Sequence, residues 1–299
     1  MEDKEMILSS TLIKNLFHKG DLLPFCPKKV FRVCIKKDLD HKSLAMLQGN
    51  YFETLCLGSG RDGEKTTDLP RKRNGEKTIT QIRIETQSRK FHELAQVHQI
   101  IVTEANVQVS IRKKLADNIY LTGNLDLYPV ALLDPELGYV MAIIDTKLTK
   151  TLHNSFGHYC WAIPQQIDDL QAQIYMLIIE DIDFDINPHL NKELFEVASK
   201  HAKNTSFYYW VFSHFEGKVN GKYVPLENAF FPVERSELKR AELMETLRKS
   251  YKVVKYYNER GWDKTFPSKE NCTHCPLRDS CSDYYFLDTK KGDISAPSH

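Results

Sequence analysis

Two carboxylates and one amine between Asn118 and Lys150 have the types and spacing to cut a phosphate ester. Side chains alternate faces along a β-strand, so Asp145 and Lys147 point the same way if this stretch is extended. Both follow the apolar run Val140-Met141-Ala142-Ile143-Ile144. Asp126 can join them from a neighbouring strand. A carboxylate pair able to hold a divalent cation, with a lysine beside it, is what metal-assisted attack of water on a phosphodiester requires. Asp-x-Lys alone is a common tripeptide and most often a solvated strand face. Here the charges emerge from a run that reads as buried on both sides, where a charge needs a partner. Asp126 emerges in the same manner from Gly123-Asn124-Leu125-Asp126.

The second group with chemical potential is Cys272-Thr273-His274-Cys275 followed by Cys281, with Cys26-Pro27 far upstream. C-x₂-C with a third cysteine nearby is a metal-site pattern, and its thiolates could hold zinc or an iron–sulfur cluster; His274 could replace Cys26 in a zinc site. The chain has seven cysteines, an odd number, and its acidic start MEDKEMILSS does not read as a secretory signal. A disulfide framework is therefore not expected, and the expected location is cytoplasmic. Cys34, Cys56 and Cys160 sit singly among apolar or aromatic residues and read as core or subsurface thiols.

Several elements must position these groups. Asn118 to Lys150 reads as two strands joined at Asp134-Pro135-Glu136-Leu137-Gly138. With Ile100–Thr103 and Val107–Arg112 they make an antiparallel meander by sequence logic. Helical spacing covers Ser43–Leu57, ended by Gly58-Ser59-Gly60, then Ile79–His98, Pro164–Ile182 and Ser236–Glu259. A capped helix starts at Ser9 or Ser10, and another element enters at Cys26-Pro27. Phe207–Phe215 is strongly β-prone, and a short β-segment runs from Gly221 toward Pro232. Residues 58–78 are polar, rich in Gly and Lys/Arg, and read as a loop. At 299 residues, 41% hydrophobic and 27% charged, the chain can bury a substantial core, and it has no apolar run long enough to span a membrane. A net charge of +1 neither demands nor excludes nucleic acid.

These motifs resemble the PD-(D/E)XK nuclease superfamily, and within it the RecB-like exonucleases. Gly123-Asn124-Leu125-Asp126 looks like the family's G-x-x-D strand, and Ile144-Asp145-Thr146-Lys147 looks like its D-x-K strand. Gln171-Ala172-Gln173-Ile174-Tyr175 is similar to the Q-x-x-x-Y helix that follows in this branch. Gly49-Asn50-Tyr51-Phe52-Glu53 fits the preceding helix, with Glu53 where this branch usually has His; His92 and His98 are alternative occupants. One cysteine before the core and three after it resembles the iron–sulfur branch, which includes the AddB nuclease domain and CRISPR-associated exonucleases.

The resemblance implies a restriction-endonuclease-like α/β fold: a mixed central sheet flanked by helices, in one domain over residues 1–299. Residues 1–40 and 262–299 would form the cluster-binding part, tying the two terminal segments, and 41–182 the catalytic core. It implies that Glu53, Asp126, Asp145 and the Thr146 carbonyl bind Mg²⁺ or Mn²⁺, while Lys147 orients or deprotonates the attacking water. Gln171 and Tyr175 would position the scissile strand. Cys26, Cys272, Cys275 and Cys281 would hold a [4Fe-4S] cluster, with zinc as the alternative. The implied activity is metal-dependent hydrolysis of DNA, as an exonuclease on single strands or free ends, in a recombination, replication or CRISPR-type system. The competing reading is a catalytically silent DNA-binding or adaptor subunit with the metal as a structural clip. The basic run Arg71-Lys72-Arg73 is the candidate for neutralising further phosphates.

Overall fold

The computed structural model describes residues 5–18, 21–38, 43–60, 63, 65–134, 138–152, 169–219, 221–266, 268–272, 275–277 and 280–281. In chain order the elements are β1 (Met6–Ser9), α1 (Ser10–Leu16), β2 (Phe17–His18), β3 (Asp21–Leu22) and α2 (Pro27–Val30), which continues as a π-helical turn over Phe31–Ile35. Then come α3 (Leu44–Leu57), α4 (Ile79–Val97), β4 (Val107–Ala116), β5 (Ile119–Asp134), β6 (Gly138–Thr149), α5 (Asp169–Ile178) and α6 (Lys192–Lys200). The remainder is β7 (Ser206–Ser213), β8 (Gly217–Val219), β9 (Lys222–Val224), β10 (Asn228–Val233), α7 (Glu237–Arg260) and α8 (Lys269–Cys272). These form two compact units, one of residues 1–10 and 42–243, the other of 11–41 and 244–299.

The larger unit is built on a mixed sheet in the order β1-β5-β6-β7-β10, with β4 on the open side of β5. β4, β5 and β6 are the expected antiparallel meander, whereas β1 runs parallel to β5 and β7 parallel to β6. A return to a parallel neighbour needs a crossover, and the chain spends residues 150–205 on it, α5 and α6 included. The alternating parity of β6 and β7 sorts the core into two layers. Ala142, Ile144, Tyr208, Trp210 and Phe212 face α3 and α4, where they pack with Phe52, Ile84 and Phe91. The Phe91 and Trp210 rings lie 4.7 Å apart, and Trp210 stacks on Phe230 at 4.6 Å. On the other face Tyr175 meets Phe207 at 6.3 Å and Tyr128 meets Phe195 at 5.8 Å. Each buried ring contributes on the order of 2 kcal/mol.

Local signals set the helix ends. Ser43 and Thr78 accept from the N–H groups of Met46 and Gln81, capping α3 and α4. Gly58, in the left-handed region at φ 81°, ends α3 with its N–H on the Thr54 carbonyl. Residues 100–103, expected as a strand, are not one. Asn106 takes both the Thr103 N–H and hydroxyl on its side-chain oxygen and donates to the Ile101 and Pro129 carbonyls, folding the segment into a turn. A side chain that hydrogen-bonds nearby backbone competes with the ladder, and here it wins.

The smaller unit joins the two terminal segments through ordinary packing. Phe25 meets Tyr257 edge-on at 5.6 Å, and Phe31 stacks on Trp262 at 5.9 Å. The Lys28 N–H donates to the Lys264 carbonyl at 3.2 Å, and Asn271 donates to the Pro24 carbonyl at 2.9 Å. Pro27 at the first turn of α2 places Cys26 at its N-cap.

Candidate active site

Asp126 and Asp145 stand where two strands part. The β5–β6 ladder runs from Asp134–Gly138 to Leu127–Ile144, with an irregularity between Leu127 and Val130, and goes no further. Pro129 falls in that irregularity and has no N–H for a ladder. Beyond it β5 pairs with β4 and β1, while β6 continues beside β7 as far as Thr149–Ser213. Asp126 and Asp145 are the first residues past the last shared pair.

Both carboxylates are buried and held by donors. Asp126 Oδ2 accepts from the Thr146 N–H and from the Thr146 hydroxyl, each at 2.8 Å. Its Oδ1 accepts from Gln108 at 3.2 Å, and Gln108 is itself held by Asn124 at 2.7 Å. Asp145, 1% exposed, accepts from Gln171 Nε2 at 2.9 Å on Oδ1 and forms an ion pair with Lys147 through Oδ2. Lys147 also lies 5.6 Å from the Tyr209 ring centre. Burial acts to lower the Lys147 pKa, but the Asp145 and Asp126 carboxylates outweigh it and hold the ammonium above the usual lysine range. Lys147 is therefore a fixed cation at neutral pH.

Gly123 has a reason visible only in the structure. A Cβ there would lie 2.8 Å from Tyr175 Cε1 and 3.0 Å from Ile178 Cδ1. The glycine lets α5 approach β5 closely enough for Gln171, one turn before Tyr175, to reach Asp145. Gln171 and Tyr175 are 4% and 5% exposed; Gln171 holds Asp145, and the Tyr175 ring packs against Gly123 and Phe207.

Glu53 on α3 approaches from the other layer. The Cys56 thiol is pushed up by burial and then by the Glu53 and Asp126 carboxylates, which places both charges near one buried sulfur. The two histidines take other places: His92 contacts the Leu55 carbonyl at 3.0 Å, and His98 lies edge-on to Trp210 and Phe230. Gln108, the Thr146 hydroxyl and Tyr209 were not foreseen from sequence. Their roles depend on register between strands, for which single positions carry no signal.

The donor set Glu53, Asp126, Asp145 and the Thr146 carbonyl is all hard oxygen, which suits Mg²⁺ or Mn²⁺, and the Lys147 ammonium already sits in the field of two of these carboxylates. Among the described residues no three His, Cys, Asp or Glu side chains share one ligating sphere. In the smaller unit, the Cys275 N–H donates to the Cys272 carbonyl at 3.2 Å. Burial raises the Cys275 pKa, and the Cys26 and Cys272 thiols add to the shift, so these three lie within electrostatic reach. Cys281 is partly buried with a free thiol, and His274 lies outside the described residues. Buried Cys34, pushed up to about 11, stays protonated, as a core thiol should; Cys160 is outside the described residues. The basic run is internally engaged: Arg71 pairs with Asp68 at 2.9 Å and Lys72 with Glu76 at 3.3 Å.

The larger unit thus has a mixed sheet flanked by helices, with buried carboxylates and a charged lysine in the opening between two antiparallel strands. The chain belongs to the PD-(D/E)XK nuclease superfamily, whose family model matches residues 37–282. Nucleases of this superfamily generally use divalent metals such as Mg²⁺ and act on nucleic acid. A crystal structure from Eubacterium rectale, provisionally described as an exonuclease, is similar at 14% identity and a TM-score of 0.45, covering 84% of this chain and 79% of that one. A search of curated proteins finds no match. Among the described residues no helix is long and apolar enough to cross a membrane.

Proposed function

We propose that the chain is a divalent-metal-dependent deoxyribonuclease of the RecB-like branch, acting as an exonuclease on single-stranded DNA or DNA ends. The observation that carries this reading is the meeting of Asp126, Asp145, Lys147 and Gln171 at the opening between β5 and β6. Asp126, Asp145, Glu53 and the Thr146 carbonyl would hold the metal, which when bound lowers the pKa of water and polarises the phosphoryl oxygen. Thr146 fixes Asp126 through two hydrogen bonds, and Gln171 fixes one oxygen of Asp145, so both carboxylates are oriented before substrate arrives. Lys147 orients or deprotonates the attacking water and offsets charge on the phosphoryl group. Gln171 and Tyr175 would position the scissile strand, and Gln171 in addition holds Asp145. End-labelled single- and double-stranded DNA, incubated with Mg²⁺, Mn²⁺ or EDTA, tests this. Cleavage in either metal and none in EDTA is expected; binding without cleavage in any metal favours the silent adaptor instead.

The thiols of Cys26, Cys272, Cys275 and Cys281 are proposed to hold a [4Fe-4S] cluster, a reading that rests on the C-x₂-C spacing of Cys272 and Cys275 with Cys281 six residues later. Anaerobically purified protein should then contain about four irons per chain and absorb broadly. One zinc and no iron would replace the cluster with a zinc clip.

A further inference from the structure

The sheet pairing continues past the proposed catalytic residues. The His214 N–H donates to the Thr149 carbonyl and the Phe215 N–H to the Lys150 carbonyl, each at 2.9 Å, which sets Lys150 beside Phe215. Lys150 follows Lys147 by three residues, roughly 10 Å at the rise of a strand, and so emerges on the opposite face of β6, the side of α4. Two cations share the Phe215 ring: the Lys150 ammonium lies 5.6 Å and the Arg83 guanidinium 5.9 Å from its centre. The ring is backed by Gly217, where a Cβ would come 3.1 Å from Phe215 Cζ, so it is a firm pedestal. Arg83 is further anchored by donation to the Glu216 carbonyl at 2.8 Å. Exposed Lys150 makes no ion pair among the described residues.

The chain then enters the β8–β9 hairpin, which presents exposed Lys218 opposite Tyr223. Tyr223 is 59% exposed and is fixed through its hydroxyl on Glu216. Glu216, 3.8 Å from Arg83, is the acidic group paired at this corner among the described residues, beside Arg83, Lys150 and Lys218. The excess of positive charge is independently felt by His214, whose pKa is lowered by burial first and then by Lys150 and Arg83. An exposed aromatic face beside Lys150 and Lys218, with Arg83 shared between Glu216 and the Phe215 ring, matches the chemistry of a single nucleic-acid strand: phosphates for the cations, an unpaired base for the ring.

We propose that this corner grips the substrate strand outside the catalytic opening, with Arg83 and Lys150 on neighbouring phosphates and Tyr223 stacked on an unpaired base. The proposal rests on the nuclease reading and adds to it a binding site outside the catalytic set. The test is fluorescence anisotropy with a labelled single-stranded thymidine oligonucleotide and a duplex of equal length, in the Asp145→Asn background, across a salt series. Lys150→Ala should weaken single-strand binding and flatten the salt slope by about 0.7, the value of one single-strand phosphate contact. Tyr223→Ala should weaken single-strand binding about 5-fold or more but leave the duplex within about 2-fold, since stacking needs an unpaired base. Tyr223→Phe should restore affinity, because the ring and not the hydroxyl binds. If Lys150→Ala and Tyr223→Ala bind the single strand like the parent, while the parent with Asp145 intact cleaves DNA, the grip is overturned and the nuclease reading survives. A parent that neither cleaves nor binds DNA overturns both.

Discussion

α5 lies between two buried charge centres of opposite make-up. On one side two carboxylates, Asp126 and Asp145, surround a single ammonium, Lys147. On the other, one carboxylate, Glu180, is surrounded by cations. Arg235 donates to it at 2.9 Å, Arg240 donates to both its oxygens at 2.6 and 2.7 Å, and Lys113 donates to its backbone carbonyl. Arg235 also donates to the Met176 carbonyl at 3.0 Å, tying the end of α5 to the segment before α7. Guanidinium forks saturate a carboxylate geometrically, and a saturated carboxylate has little left to bind. The carboxylate-rich centre keeps surplus negative charge that further cations can relieve. Similar residue types thus make a structural tie on one face of a helix and a candidate reactive site on the other, and the ratio of signs separates them.

The sharpest way to break this contrast is to neutralise one carboxylate in each centre. Asp145→Asn should reduce DNA cleavage by roughly 10²-fold or more, since an oriented catalytic charge is lost. Its melting temperature should fall less than that of Glu180→Ala, because relief of the repulsion with Asp126 offsets part of the lost Lys147 ion pair; a larger drop would show that the site also supports the fold. Glu180→Ala should do the reverse. It leaves two guanidinium groups without their partner and should cost about 2 kcal/mol in denaturant unfolding, less than a fully buried pair because Arg240 is 43% exposed. Specific activity of the folded fraction should stay within about 3-fold, since Glu180 touches no proposed catalytic group. Equal loss of activity in both variants would erase the distinction.

A third substitution tests how α5 serves the first centre. Gly123→Ala drives a methyl into the Tyr175 ring and should cost about 1–3 kcal/mol, the usual range for overpacking, together with part of the activity. Adding Tyr175→Leu removes the ring atoms in the way and should recover stability relative to the glycine variant alone. Additive losses would mean that the close approach is not what Gly123 provides.

The smallest expected effect concerns His214, a titratable group facing cations. Its folded pKa is lowered, so the unfolded chain takes up the proton first as pH falls, and folding stability declines as pH drops below about 6.5. His214→Gln should flatten the change in melting temperature between pH 7 and pH 5.5. An unchanged profile would assign the acid sensitivity to other groups.

Much of the site was legible because it lies on strands whose period is short and whose apolar runs are bounded. Asp145 and Lys147 share a face whatever the register, and Gln171 and Tyr175 share one by helical spacing. What those last two residues do was legible only in part. Sequence suggests contact with DNA; only the structure adds that Gln171 donates to Asp145 and that Gly123 leaves the space the Tyr175 ring fills. The meander was readable, but Ile100–Thr103 looks like a strand because Ile and Val favour one, and the side-chain bonds of Asn106 override that preference. The charge state of Lys147 likewise depends on how near Asp126 comes, which no local window encodes.

The parting of β5 from β6 has a further consequence. A separation inside a sheet leaves backbone groups without their usual neighbour, a defect that burial ordinarily forbids. Here the Asp126 side chain stands in for the missing strand by taking the Thr146 N–H. The group proposed to bind metal is thus also a hydrogen-bond plug where the two strands part. Selection on such a position acts on two properties through one carboxylate. Asparagine, which keeps an acceptor oxygen but not the charge, would pull them apart: the plug would remain while the metal ligand is weakened.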